Sequence, residues 1–102
     1  MATINITRDQ DGNVVYEPSE ITIATTGDFV IWANFDPDDD HQPTLQGEAA
    51  DYWMDDPLPR FETGQPAACS PVLNLAGTAG QPITYVDGLD LETGGSGTIN
   101  FV

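Results

Sequence analysis

The sequence predicts an all-β protein, a Greek-key β-sandwich of about seven to eight short strands. Three observations predict this fold class. Short groups of β-branched and aromatic residues recur along the 102 residues, and clusters of Gly, Pro, Asn and Asp separate them. No segment has the length and period of a stable helix. Because the chain length suits one core, we expect residues 1–102 to form a single domain.

The first part of the chain predicts four strands. Residues 9–12 supply a turn that makes the first two strands a hairpin, and Pro18 ends this hairpin. The fourth segment is apolar at both odd and even positions, which is expected of a central strand with both faces partly covered. The four segments are residues 4–6, 14–16, 21–23 and 29–35.

The rest of the chain predicts a long irregular excursion followed by three more strands. Residues 36–66 lose the hydrophobic period, so we expect loops there, with one short strand at 44–46 and at most a turn or two of helix at 48–54. The later strands are expected at residues 71–75, 83–86 and 98–102.

The charge is extreme, with 17 acidic residues against only Arg8 and Arg60 and a net charge of −15. Nucleic acid is excluded as a partner because phosphate binding needs clustered Lys or Arg. No segment is long and apolar enough to predict a membrane span. Such an acidic surface either maintains solubility at high salt or attracts a basic protein partner or cations; the oligomeric state stays open.

Three stretches share the order and spacing of one known family. They are residues 16–34, in which Gly27-Asp28 leads an apolar strand, the loop Asp40-His41-Gln42-Pro43, and residues 76–99. In these stretches the chain resembles the cupredoxins, the plastocyanin-like small blue-copper proteins. The resemblance implies a periplasmic or extracellular protein, whose leader peptide is not part of this sequence.

The copper ligands that the resemblance implies are not retained. His41 matches the first histidine ligand, but the Cys-x-x-His frame is Asp87-Gly88-Leu89-Asp90 here, and residues 91–95 contain no axial methionine. A blue-copper site depends on a thiolate, which a carboxylate does not replace. We therefore predict that the type 1 copper site has been lost.

The end of the sandwich near His41 has three interpretations. His41, Asp87 and Asp90 form a one-imidazole, two-carboxylate set that suits a divalent ion such as Cu, Zn, Mn or Ca. Alternatively, polar residues simply fill exposed loop positions and the protein has no resident cofactor. The third alternative is a copper electron carrier with atypical ligands that include Cys69, although Cys69 is expected to lie away from the loop cluster.

Four aspartates precede the single histidine: Asp36, Asp38, Asp39 and Asp40. We expect them to crowd the approach to His41. Since nearby carboxylates favour the protonated imidazole, they should raise the pKa of His41 above that of an isolated histidine.

A second apolar feature lies inside the acidic excursion, at Tyr52, Trp53 and Met54. These residues either cap one end of the sandwich or form a partner-binding patch. The chain has no catalytic motif, so we do not expect an enzyme. The sequence thus predicts a non-catalytic binding or interaction module with a protein as the expected type of partner.

Overall fold

The computed structural model describes residues 2–46 and 56–102, which form two β-sheets around a shared apolar core. Nine strands occur in these two ranges. They are β1 (Ala2–Arg8), β2 (Val14–Glu17), β3 (Glu20–Ile23), β4 (Asp28–Asn34), β5 (Pro43–Leu45), β6 (Ala68–Cys69), β7 (Leu73–Leu75), β8 (Ile83–Asp87) and β9 (Ser96–Phe101).

The strands make two mixed sheets. The first has the order β2-β1-β4-β6, with β7 also paired to β4, and the second has the order β3-β9-β8-β5. The β1–β4 and β3–β9 pairs are parallel and the others are antiparallel. The predicted all-β sandwich is therefore confirmed, and so is the predicted hairpin of β1 and β2.

The core forms because alternate residues of each strand point inward. At its centre, the ring of Tyr85 makes edge-to-face contacts with Tyr16 and Trp32, at centroid distances of 5.2 and 5.4 Å. Gly97, opposite Tyr85 in the β8–β9 register, leaves the space in which the Tyr85 ring lies. The other buried members are Ile4, Ile6, Ile21, Ile23, Val30, Leu45, Leu58, Leu75, Ile99 and Phe101.

Several strand predictions needed adjustment. Strand β6 was not predicted, because two residues are too few to produce a hydrophobic period. In β4, the expectation of two covered faces holds only in the middle. Val30 and Trp32 are buried, while Phe29 on the other face is 50% exposed. The predicted helical turn at residues 48–54 lies outside the described residues.

The chain after β4 is fixed against the loop that contains Leu58. The side-chain amide of Asn34 donates hydrogen bonds to the carbonyl oxygens of Asp39, Leu58 and Pro59, at 3.2, 3.0 and 3.1 Å. The backbones of His41 and Leu58 exchange two hydrogen bonds, of 3.0 and 2.7 Å. This network determines where the His41 side chain enters the sandwich. Across the described ranges, no helix is long and apolar enough to cross a membrane.

Candidate functional site

The imidazole of His41 lies between two buried carboxylates. Its Nδ1 is 2.5 Å from Oδ2 of Asp87, and its Nε2 is 2.6 Å from Oδ2 of Asp36. The exposed fractions of the three residues are 2% for His41, 1% for Asp87 and 0% for Asp36. Both ring nitrogens are therefore used in hydrogen bonds inside the protein.

The two carboxylates come from different sheets. Asp36 follows the end of β4 in the first sheet, and Asp87 is the last residue of β8 in the second sheet. His41 lies in the connection from β4 to β5, opposite Leu58. The imidazole thus joins the ends of the two sheets at one end of the sandwich.

Asp36 is held by an arginine as well as by the histidine. Its Oδ1 accepts hydrogen bonds from Nε of Arg8 and from the backbone N–H of Asp38, both at 2.9 Å. Arg8 also donates to the carbonyl of Gly12 at 2.7 Å and forms a short ion pair with Asp39. One of the two arginines of the chain is thereby committed to this cluster.

Asp87 is held by the backbone of two neighbouring segments. Its Oδ1 accepts hydrogen bonds from the N–H groups of Gln42, at 3.1 Å, and Leu89, at 2.9 Å. The N–H of Gly88 donates to the Gln42 carbonyl at 2.8 Å, which keeps the two segments together. Oδ2 is left to accept a hydrogen bond from Nδ1 of His41.

These contacts shift the pKa values of all three groups. Burial alone would lower the pKa of His41, but its hydrogen bonds to Asp87 and Asp36 outweigh burial and raise it above 6.5. Burial alone would raise the pKa of both aspartates. Hydrogen bonds from Arg8 to Asp36 and from His41 to Asp87, together with those from backbone N–H groups, outweigh burial and lower the pKa of each carboxyl below 3.8. The predicted direction of the His41 shift is confirmed, and charged forms are favoured throughout.

A cleft of about 640 Å³ lies over this cluster. Its lining includes both arginines, Arg8 and Arg60, together with His41, Leu89 and Asp90. Positive and negative groups therefore face the same space, although the chain as a whole is strongly acidic.

The structure brings together two of the three residues that the sequence singled out as a metal set. His41 and Asp87 are in contact, whereas Asp90 is exposed at the rim of the cleft. The Asp90 carboxylate accepts hydrogen bonds from the backbone N–H groups of Glu92 and Thr93, at 3.2 and 3.0 Å, and from the Thr93 hydroxyl. It caps a turn and is not hydrogen-bonded to His41.

Asp36 is the member of the cluster that the sequence did not single out from its neighbours. It was expected only to crowd the approach to His41, with three other aspartates. A signal was present, because Asp36 continues the inward positions of β4, after Val30, Trp32 and Asn34. An aspartate at an inward position needs buried hydrogen-bond partners, and a protonated imidazole is one of the few that also supply a positive charge.

The other candidate residues lie elsewhere or outside the described ranges. Cys69 is exposed on β6, opposite Ala33, and its Sγ lies 3.6 Å from the carbonyl oxygen of Ala67. The Tyr52, Trp53 and Met54 cluster lies outside the described residues, so its role in partner binding stays a prediction.

The residues present do not fit a blue-copper ion. Two ligands of one tetrahedral metal ion lie about 3.3–3.6 Å apart, given metal–ligand bonds of about 2.0–2.2 Å. The nitrogen–oxygen distances at His41 are 2.5 and 2.6 Å, which are those of direct hydrogen bonds. Within residues 2–46 and 56–102, no group of three or more His, Cys, Asp or Glu side chains is arranged to hold a metal ion.

Comparisons with known proteins identify the fold. No family model and no curated protein matches the sequence. Among solved structures, the oxidised plastocyanin of Dryopteris crassirhizoma is 18% identical with a TM-score of 0.66, over 98% of this chain and 99% of that one. A mutant plastocyanin of fern is 16% identical with a TM-score of 0.66, over 98% of this chain and 99% of that one.

A bacterial structure gives the same answer. Auracyanin A, a "blue" copper protein from Chloroflexus aurantiacus, is 14% identical with a TM-score of 0.53, over 100% of both chains. Identities of this size show a shared architecture and nothing about ligands or partners. The resemblance predicted from the sequence is confirmed at the level of architecture: the chain has the cupredoxin fold.

Proposed function

We propose that this protein is a non-catalytic interaction module that uses the cupredoxin fold without a type 1 copper site. The observation that carries the proposal is the pairing of both His41 nitrogens with carboxylates. A histidine binds a metal through an unprotonated ring nitrogen. Copper at this position would have to displace Asp36 or Asp87 from a buried hydrogen bond.

The thiolate that blue copper needs has no counterpart near His41. Asp87 stands where the cupredoxin cysteine is expected, and it accepts hydrogen bonds from three donors. Cys69, the single cysteine of the chain, is exposed on another part of the first sheet. These placements favour an interaction role over an electron carrier with atypical ligands.

The surface around the cleft suits a protein partner. Leu89 is 51% exposed and Leu91 is 73% exposed, so apolar area is available next to charged groups. Arg60 and Asp90 both line the cleft and carry opposite charges. A partner with apolar side chains surrounded by complementary charges would bury such a surface.

The deciding experiment is metal analysis of protein purified without a histidine tag. We expect less than stoichiometric metal by mass spectrometry and no intense visible band after addition of copper. A plastocyanin treated in parallel provides the control for both measurements. One equivalent of tightly held copper with an intense visible band would overturn the proposal.

Separate titrations with Zn, Mn and Ca test the remodelled metal site. Calorimetry should detect no tight stoichiometric binding by the wild-type protein. Tight binding that is lost in Asp87→Asn would instead establish a divalent-metal protein and would overturn the metal-free module.

A further inference from the structure

We propose that His41 is a doubly protonated histidinium at neutral pH, and that its two N–H groups cross-link the two sheets where a metal-binding histidine would otherwise stand. The inference rests on the proposed function, since a metal-loaded site needs an unprotonated His41 nitrogen. It assigns a role to the cluster that the loss of copper by itself does not imply.

The first argument is a count of donors and acceptors. A neutral imidazole has one N–H donor and one acceptor nitrogen, whereas an ionised carboxylate only accepts. Both nitrogens of His41 face carboxylate oxygens, at 2.5 and 2.6 Å. With a neutral ring, one lone pair would point at a carboxylate oxygen. Two protons on the ring turn both contacts into charge-assisted hydrogen bonds.

The alternative position for the second proton is a carboxylate, and the other contacts of the aspartates oppose it. Oδ1 of Asp36 accepts from Arg8 and from the N–H of Asp38. Oδ1 of Asp87 accepts from the N–H groups of Gln42 and Leu89. Hydrogen bonds donated to a carboxylate, and a guanidinium beside it, favour its ionised form.

The second argument is the charge balance of the buried cluster. With His41 protonated, two cations, Arg8 and His41, face two buried anions, Asp36 and Asp87. A neutral ring would leave one buried carboxylate without a compensating charge. The surrounding charges would not compensate it, because Asp38 and Asp39 flank Arg8 and Asp90 stands nearby at the rim.

The third argument is position. Asp36 lies two residues beyond the end of β4 of the first sheet, and Asp87 ends β8 of the second sheet. A disulfide cannot join the sheets, because the chain has one cysteine. The carboxylate–histidinium–carboxylate unit provides a polar connection between them that is buried throughout.

The test is nuclear magnetic resonance of the imidazole in the wild-type protein. Since His41 is the single histidine, all imidazole signals in a tag-free sample belong to it. A long-range ¹H–¹⁵N spectrum at about pH 7, above the usual histidine pKa of about 6.5, should show both nitrogens protonated, with two slowly exchanging N–H protons. A ring with one protonated nitrogen would overturn the inference.

Asp36→Asn and Asp87→Asn test whether the carboxylates hold the charge. We expect the ring to carry one proton at the same pH in each variant. Asp56→Asn, at an exposed position with the same change of charge, is the matched control and should keep both protons. A ring that stays doubly protonated in both cluster variants would overturn the inference. If the variants do not fold, the wild-type spectrum still decides.

The outcomes separate this inference from the proposed function. Stoichiometric copper in the metal analysis overturns both. A singly protonated ring in a protein that binds no metal overturns only the histidinium cross-link. A doubly protonated ring that stays unchanged with one equivalent of zinc supports both.

Discussion

Nδ1 of His41 and Oδ2 of Asp87 lie 2.5 Å apart although the two residues are separated by 46 positions in the chain. The contact is buried on both sides. It joins a loop after β4 to the end of β8, so two separate parts of the chain depend on it. The stability of this end of the sandwich should therefore respond to changes in either residue.

Replacement of His41 by alanine should lower the free energy of unfolding by about 3–5 kcal/mol. The cause is the loss of the cation between Asp36 and Asp87, which leaves two buried carboxylates facing a cavity. Urea unfolding measures the change. Gln10→Ala, at an exposed turn position, is the control and should change stability by less than about 0.5 kcal/mol. A cost below about 1 kcal/mol for His41→Ala would show that the ion pairs contribute little.

The cluster should make stability depend on pH in both directions. The pKa of His41 is raised above 6.5, so its contribution is complete below 6.5 and is lost as the pH rises through the folded-state value. The pKa values of Asp36 and Asp87 are lowered below 3.8, so their contributions are present above 3.8 and are lost as the pH falls through the folded-state values. Stability should be greatest between these limits.

Thermal unfolding from about pH 3 to about pH 9, below the usual tyrosine pKa of about 10, tests this dependence in the wild type and in His41→Gln. The decline on the alkaline side should be present in the wild type and absent in the variant, because glutamine does not titrate. An identical alkaline decline in both proteins would place its origin outside His41.

The fold could be predicted from the sequence because the strands alternate inward and outward residues. Strand β3 shows this most simply, since Ile21 and Ile23 are buried between exposed neighbours. Strand β6 escaped prediction because pairing with β4, rather than its own two residues, determines it.

The candidate site was only half predictable. The resemblance to cupredoxins placed His41 and Asp87 together, but spacing alone could not separate buried Asp36 from exposed Asp90. The difference is tertiary. Arg8, from β1, supplies the charge that allows Asp36 to be buried, while Asp90 finds its partners locally in a turn.

Tyr16→Phe should leave stability unchanged or increase it by up to about 1–2 kcal/mol. The Tyr16 hydroxyl is buried without a hydrogen-bond partner among the described residues, and burial raises its pKa. Removal of an unpaired polar atom relieves a desolvation cost. Ile4→Ala is the contrasting change in the same core and should cost about 2–5 kcal/mol. A clear loss of stability in Tyr16→Phe would show that the hydroxyl is hydrogen-bonded.

Gly94→Ala should disturb the His41–Asp87 contact without removing either residue. A Cβ at position 94 would lie 2.6 Å from Oδ2 of Asp87 and 2.5 Å from the carbonyl oxygen of Asp90. The carboxylate must move, so the imidazole N–H signal that faces Asp87 should shift or disappear. Gly64→Ala is the control. Its added Cβ meets nothing within 4 Å, so the only expected cost is the backbone strain of a non-glycine residue at a φ of +86°, about 1–2 kcal/mol.

Added salt should raise the melting temperature, because the net charge of −15 makes the folded chain repel itself. The Debye length falls from about 10 Å at 0.1 M to about 3 Å at 1 M, so surface repulsion weakens while the buried His41 contacts are screened much less. KCl and CaCl₂ should be compared at equal ionic strength. Equal increases indicate screening alone, whereas a larger increase with calcium indicates that carboxylates bind the cation. An unchanged melting temperature in both salts would mean that the acidic surface does not limit stability, and its charge would then have to be explained by a basic partner.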